Sequence, residues 1–237
     1  MKEITHKGLA RLVGLYGFHS IDSNNLEILV SSSVEPDLIN REEMGKGISK
    51  ALLTSIGWFV DHTDKAKELA IQNIKKAIEA YDSGDSSWSR WLGWAFHFIT
   101  DWATPYHSSI ALSKYIADPE SDIFKKESES EGVSYWTILG KVLKSFQFKV
   151  DHDEFEEICE ERWQQSTSLI IDNFIKFKEK NTLIVDIELF SEKMDKLRTN
   201  CKNKLLEWIK VCSNQEFSLY MVDIAKVMDI SCQLVVG

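Results

Sequence analysis

A chain of 237 residues, 43% hydrophobic and 27% charged, can bury a substantial core yet stays within the size of one domain, so one domain over 1–237 is expected. A formal net charge of −9 with only 3 prolines and 11 glycines excludes a basic nucleic-acid-binding patch and disfavours a many-turned sheet protein, which leaves an all-α fold, a single multi-helix bundle. Neither a secretory apolar segment after Met1 nor a run of about 20 apolar residues is present; no integral membrane segment is expected, and the compartment is cytoplasmic if Met1 is the native start and secreted if a leader was removed.

The first helix is predicted over 7–17, where Leu9, Leu12, Val13 and Leu15 or Tyr16 recur at helical spacing, with His6 just ahead of its first turn. Residues 20–33 are mixed, and Ser-Ile-Asp-Ser-Asn-Asn reads as a loop. Glu35-Pro36-Asp37 is a turn-like tripeptide that presents the Asp37 carboxylate at a loop tip. Helices over 48–60 and 64–81 follow, the second with an apolar stripe of Ala66, Leu69, Ala70, Ile74, Ala77 and Ile78. His62 falls in the linker between them, beside Asp61 and Asp64.

Asp82-Ser-Gly-Asp-Ser-Ser87 combines a helix stop with an N-cap signal, and starts a helix over 88–103. With Trp88, Trp91, Trp94, Ala95, Phe96 and Phe98 that helix is apolar almost all round, so it is expected to be central and buried. His97 and Asp101 lie four apart on one of its faces and can grip a single cation, while Pro105 ends the helix and swings His107 toward a second one. The acidic, Ser-rich stretch 118–132 reads as part of a surface insertion around 113–148. A short helix over 136–146 and a long one over 153–180 come next, the long one with an acidic first turn suited to its dipole. Amphipathic helices over 190–213 and 217–234 close the bundle. Cys159, Cys201, Cys212 and Cys232 lack CxxC spacing and read as buried core thiols, with a disulfide between late helices left open.

His152 and Glu156 are a second pair four apart on a helix, and with His107 they make up a His2Glu set that leaves a position open for water. A buried His bonded to an Asp is also an ordinary structural pair, because pairing offsets much of the several kcal/mol that an unpaired buried charge costs. His97 and Asp101 alone therefore fit either reading; the second pair is what favours a multi-metal hydrolase. Asp37 has an alternative as a turn residue, and His6 and His62 have alternatives as terminal and surface histidines, while His19 fits no position. The aromatic residues near His97 are core by default, although Trp58, Phe59, Trp102 or Tyr106 can line a pocket for a lipid headgroup or a base.

In the runs His97-Phe-Ile-Thr-Asp101, Thr104-Pro-Tyr-His107 and His152-Asp-Glu-Phe-Glu156-Glu-Ile-Cys-Glu-Glu-Arg162 the chain resembles the bacterial zinc-dependent phospholipase C family, which includes the catalytic domain of the clostridial α-toxins. The family pattern is His-x3-Asp at a helix end, a Thr-Pro-x-His turn and then His-x3-Glu, and the match is clearest over 64–165. The resemblance implies up to three zinc ions. His97, Asp101, Asp37 and His62 would hold the first; Asp101 would bridge to another that His6 also binds; His107, His152 and Glu156 would hold the remaining one. Asp37 would also be catalytic, orienting the attacking water or taking its proton.

The implied activity is phospholipase C cleavage of glycerophospholipids, or of another phosphodiester substrate, by metal-bound hydroxide, giving diacylglycerol and a phosphorylated headgroup. The related single-strand-specific zinc nucleases share the three-metal helical site, so nucleic acid stays open as an alternative substrate. A non-catalytic zinc-stabilised helical protein, whose ligands serve folding, is the third reading. Two departures from the family stand out. Secreted members bind one zinc through a processed N-terminal Trp, where this chain begins Met1-Lys-Glu-Ile-Thr. The connection over 108–151 between His107 and His152 is also longer than the family's, and reads as a lid or specificity insert.

Overall fold

The computed structural model describes residues 3–18, 20–37, 65–107, 135–179 and 185–237. The helix expected over 48–60, together with His19, Trp58, Phe59, His62 and the stretch 118–132, lies outside the described residues.

Helix α1 (Glu3–Gly17) buries Leu9, Ala10, Leu12 and Val13 along one face and leaves Leu15 and Tyr16 exposed. It starts earlier than its apolar stripe suggests, because Glu160 of a distant helix accepts from the Ile4 amide at 3.1 Å and so satisfies a first-turn donor. His6 is thereby inside the first turn, 1% exposed, rather than ahead of it. The stretch that reads as a loop contains helix α2 (Ser23–Ser32). Its polar residues are cap material: Asp22 accepts from the Asn25 amide at 2.9 Å, after which Leu26, Leu29 and Val30 face the core.

Helix α3 (Ala66–Asp82) runs into a turn whose centre, Gly84, has φ 73°. That left-handed geometry lets the Asp85 amide reach back to the Ala80 carbonyl at 2.8 Å, closing the helix end as glycine-terminated helices do. Helix α4 (Trp88–Ala103) then packs along α3. It is central as expected, with Leu92, Ala95, Phe96, His97 and Ile99 fully buried, although Trp88, Trp91 and Trp94 are only half-buried at its rim. Gly93 makes the crossing of α2 over α4 possible: a Cβ there would come within 2.6 Å of the Leu29 carbonyl oxygen. That close approach delivers the carbonyl of Ser33 to His97.

Beyond Thr104 comes a single 3-10 turn (Pro105–His107). Helix α5 is continuous from Tyr135 to Lys178, where two helices are expected. Between 146 and 153 the sequence mixes polar residues with Phe148 and Val150 but holds neither Pro nor Gly, so nothing interrupts the backbone ladder. His152 and Glu156 consequently sit in mid-helix. The expected helix over 190–213 is instead two, α6 (Ile187–Cys201) and α7 (Leu206–Val211). Helix α8 (Asn214–Val236) starts at a capping box in which Ser213 and Glu216 exchange bonds. It packs against α1, α3, α4, α5 and α6, and its Phe217, Met221, Ile224, Ala225 and Met228 are fully buried.

The result is an all-α bundle with no strand among the described residues. No described helix is long and apolar enough to cross a membrane. All four cysteines are buried and free, so no disulfide joins the late helices. Burial pushes the Cys201 thiol up to about 12, which leaves it unreactive near neutral pH.

Candidate metal centre

Five segments of chain meet around Asp101. Helix α4 supplies His97 and Asp101 one turn apart, α1 supplies His6, the segment after α2 supplies Asp37, the 3-10 turn supplies His107, and α5 supplies His152 and Glu156. His97 Nε2 lies 3.0 Å from Asp101 Oδ2 and 3.7 Å from Asp37 Oδ1. The other Asp101 oxygen, Oδ1, lies 3.2 Å from His107 Nδ1 and 3.8 Å from His6 Nε2. On the far side of His107, His152 Nε2 is 3.3 Å from Glu156 Oε1.

Among the described residues these side chains form two sets able to hold an ion, His6 with Asp37 and His97, and His107 with His152 and Glu156. Every sequence-proposed ligand that is described therefore falls in one of the two sets or, in the case of Asp101, between them. The grouping differs from the expectation in one respect. His6 stacks on His97 with ring centroids 4.7 Å apart, and so joins the His97 and Asp37 set as well as facing Asp101. His62 lies outside the described residues.

Local hydrogen bonding fixes the tautomers. His97 Nδ1 is 3.1 Å from the Ser33 carbonyl oxygen, which only accepts, so Nδ1 carries the proton. Its Nε2 then turns a lone pair toward two carboxylates, an arrangement that calls for a proton or a cation between them. His152 repeats the pattern: Nδ1 donates to Asp153 Oδ1 at 3.3 Å, leaving Nε2 aimed at Glu156. Orienting partners of this kind behind a ring are what metal-binding histidines characteristically have. Both ring nitrogens of His6 are buried without a hydrogen bond, a costly state in an apolar interior unless an ion is bound there. Neighbouring donor atoms about 2 Å from a tetrahedral zinc stand about 3.3 Å apart, close to the separations above. The residues thus could hold a divalent metal, zinc among those that take mixed imidazole and carboxylate donors.

Charge follows the same logic. Burial drives the His6 imidazole well below its ordinary range and lowers His107 to about 4 despite the neighbouring Asp101 carboxylate, so both are neutral at pH 7 and have a lone pair to offer. Burial also works against His97, but Asp101 and Asp37 outweigh it and raise its pKa. Glu156 is held down to about 2 against the upward push of burial. The set is closed toward the core and open at its edges: Asp101 is 2% exposed, whereas Asp37 is 26% and His152 14% exposed.

Several supports have no motif in the sequence. The Ser33 carbonyl is backbone and leaves no trace in residue type. Glu35 accepts from Arg90 Nε and Trp94 Nε1, both at 2.8 Å, and so ties the segment bearing Asp37 to α4. Tyr106, fully buried, lies edge-on to the His152 ring at 5.9 Å. Asp153 was legible only as one carboxylate in an acidic run. Compared with family models, with curated proteins and with solved structures, the chain matches none.

Proposed function

We propose that this chain is a zinc-dependent phosphodiester hydrolase, acting as a phospholipase C on glycerophospholipids to release diacylglycerol and a phosphorylated headgroup. One observation carries the reading: seven of the eight residues singled out from spacing and family resemblance come together from five segments, with ring nitrogens 3.0 to 3.8 Å from carboxylate oxygens. Zinc held there lowers the pKa of a bound water and neutralises phosphoryl oxygens.

The chain's own residues do the rest. His6, Asp37, His97 and Asp101 hold one side of the centre, and His107, His152 and Glu156 the other. Asp37, the most exposed carboxylate of the centre, reaches the solvent edge, where it orients the attacking water and takes its proton. As the water oxygen bonds to phosphorus, the bond from phosphorus to the diacylglycerol oxygen breaks, that oxygen takes a proton from solvent on leaving, and Asp37 returns its proton to solvent. Ser33 and Asp153 hold the His97 and His152 rings in the tautomers that face inward. The buried floor of His97 and Asp101 keeps bulk water from screening the developing charge.

The near-complete burial of His97 and Asp101 also favours a second reading, in which the ions serve folding alone. Metal analysis combined with assays on a chromogenic phosphodiester, phosphatidylcholine micelles and single-stranded DNA separates the readings. Zinc content with micelle hydrolysis is expected. Zinc without cleavage of any phosphodiester overturns the enzyme in favour of the structural role, cleavage of DNA alone makes the protein a nuclease, and a protein that takes up no divalent metal overturns both.

A further inference from the structure

The carbonyl groups at the end of α4 are accounted for one by one, and one side chain on a different helix closes the account. Thr100 and Asp101 oxygens accept from the Thr104 amide at 3.0 Å, the Ala103 oxygen accepts from the Tyr220 hydroxyl at 3.1 Å, and the Thr104 oxygen accepts from the His107 amide at 3.0 Å. Pro105 has no amide to offer, and the chain turns away before Tyr106 can continue the helical ladder to Trp102. Arg198 of α6 fills the gap: Nη1 donates to the Trp102 oxygen and Nη2 to the His107 oxygen, both at 2.7 Å. Its guanidinium also lies 4.5 Å over the Trp102 ring, and the Trp102 indole N–H donates to the Met194 carbonyl of α6 at 2.8 Å.

We infer that Arg198 is a positioning residue for the His107 side of the centre, its planar fork clamping both ends of the 102–107 segment so that His107 presents Nδ1 to Asp101 and Nε2 to His152. The inference rests on the metal reading above. A guanidinium holds two carbonyls in one plane, whereas a lysine ammonium is a point donor on a flexible stem and fixes no such angle. No polar atom of Arg198 needs to touch an ion for this; it acts through the backbone of His107.

The test is a zinc titration of the full chain against a chromogenic chelator, for the wild type, Arg198→Met, Arg198→Lys and His152→Ala, with urea unfolding of each metal-free protein alongside. The binding step lost in His152→Ala identifies the ion of the His107, His152 and Glu156 set. Arg198→Met is expected to weaken that step about 10- to 100-fold, as losing the support behind a metal ligand does, while the other step stays unchanged; Arg198→Lys is expected to show the same selectivity with a smaller loss. Unchanged affinity at both steps, or equal loss at both, overturns the inference, since a general brace would act on the two sites alike. If Arg198→Met does not fold, Arg198→Lys decides by the same criterion. A wild type that binds no zinc overturns the metal reading and this inference with it, whereas zinc binding that ignores Arg198 overturns the inference alone.

Discussion

His107 and His152 meet nitrogen to nitrogen, Nε2 to Nε2 at 3.0 Å, with their rings stacked 22° from parallel. His152 has its proton on Nδ1, toward Asp153, and His107 turns Nδ1 toward Asp101 at 3.2 Å. The two nitrogens form a hydrogen bond in the metal-free chain, and beside the Glu156 carboxylate the same atoms form a ligand set for a cation. Zinc is therefore expected to stabilise the folded chain, by about 2.7 kcal/mol at a free concentration a hundred times Kd. Thermal unfolding with added zinc and with a chelator measures this, and a Tm indifferent to both contradicts it.

Asp101 is the shared element, since its two oxygens face different imidazoles. Asp101→Asn replaces one oxygen by an amide that donates where a ligand must accept. Loss of at least one bound ion is expected, with turnover of a chromogenic phosphodiester falling more than about 100-fold, beyond what loss of an outer support costs. Full metal content and full activity in that variant would refute the assignment.

The metal-free protein should lose stability as pH falls from about 6.5 toward 4. His107 is lowered to about 4 by burial and His6 is lowered further below its ordinary value, so the unfolded chain binds protons in that window that the folded chain does not. The stability they contribute is present above the unfolded pKa and is lost on acidification, by as much as about 3 kcal/mol for His107 alone. His97, raised by Asp101 and Asp37 against the pull of burial, works in the opposite sense: its contribution is present below the unfolded value and is lost as pH rises. Urea unfolding between pH 4 and 8 should show the decline toward acid. His107→Gln should flatten it, and an unaltered slope in that variant would remove His107 as its source.

Gly93→Ala tests the link between fold and site. The added Cβ meets Leu29 backbone oxygen at 2.6 Å and Ser32 Cβ at 2.8 Å, so α2 must move away from α4, at about 1–3 kcal/mol for an overpacked core. The Ser33 carbonyl moves with it and its bond to His97 Nδ1 is lost. Lower urea stability and weaker zinc binding on the His97 side are expected together; a variant as stable as the wild type would show that the crossing has slack.

The pairs themselves were legible in the sequence because they are local. A helix places residues four apart on one face whatever surrounds it, so His97 with Asp101 and His152 with Glu156 followed once those stretches read as helical. The boundaries were less legible where polar residues have two uses. Ser, Asp and Asn after residue 20 look like a loop, yet Asp22 caps α2, and the mixed run before Asp153 looks like a break, yet contains nothing that stops a helix.

What the sequence alone determined is the chemistry on offer: an all-α chain with two imidazole and carboxylate pairs at helical spacing and a proline turn that redirects His107. Only the tertiary structure decided how the donors meet, stacking His6 on His97, bringing Asp37 beside it, and setting Arg198 across the turn. The reason is the range of the forces. Backbone geometry fixes neighbours a turn apart, while contacts between α1, α4, α5 and α6 depend on which apolar faces pack together, and on one glycine at which two backbones cross.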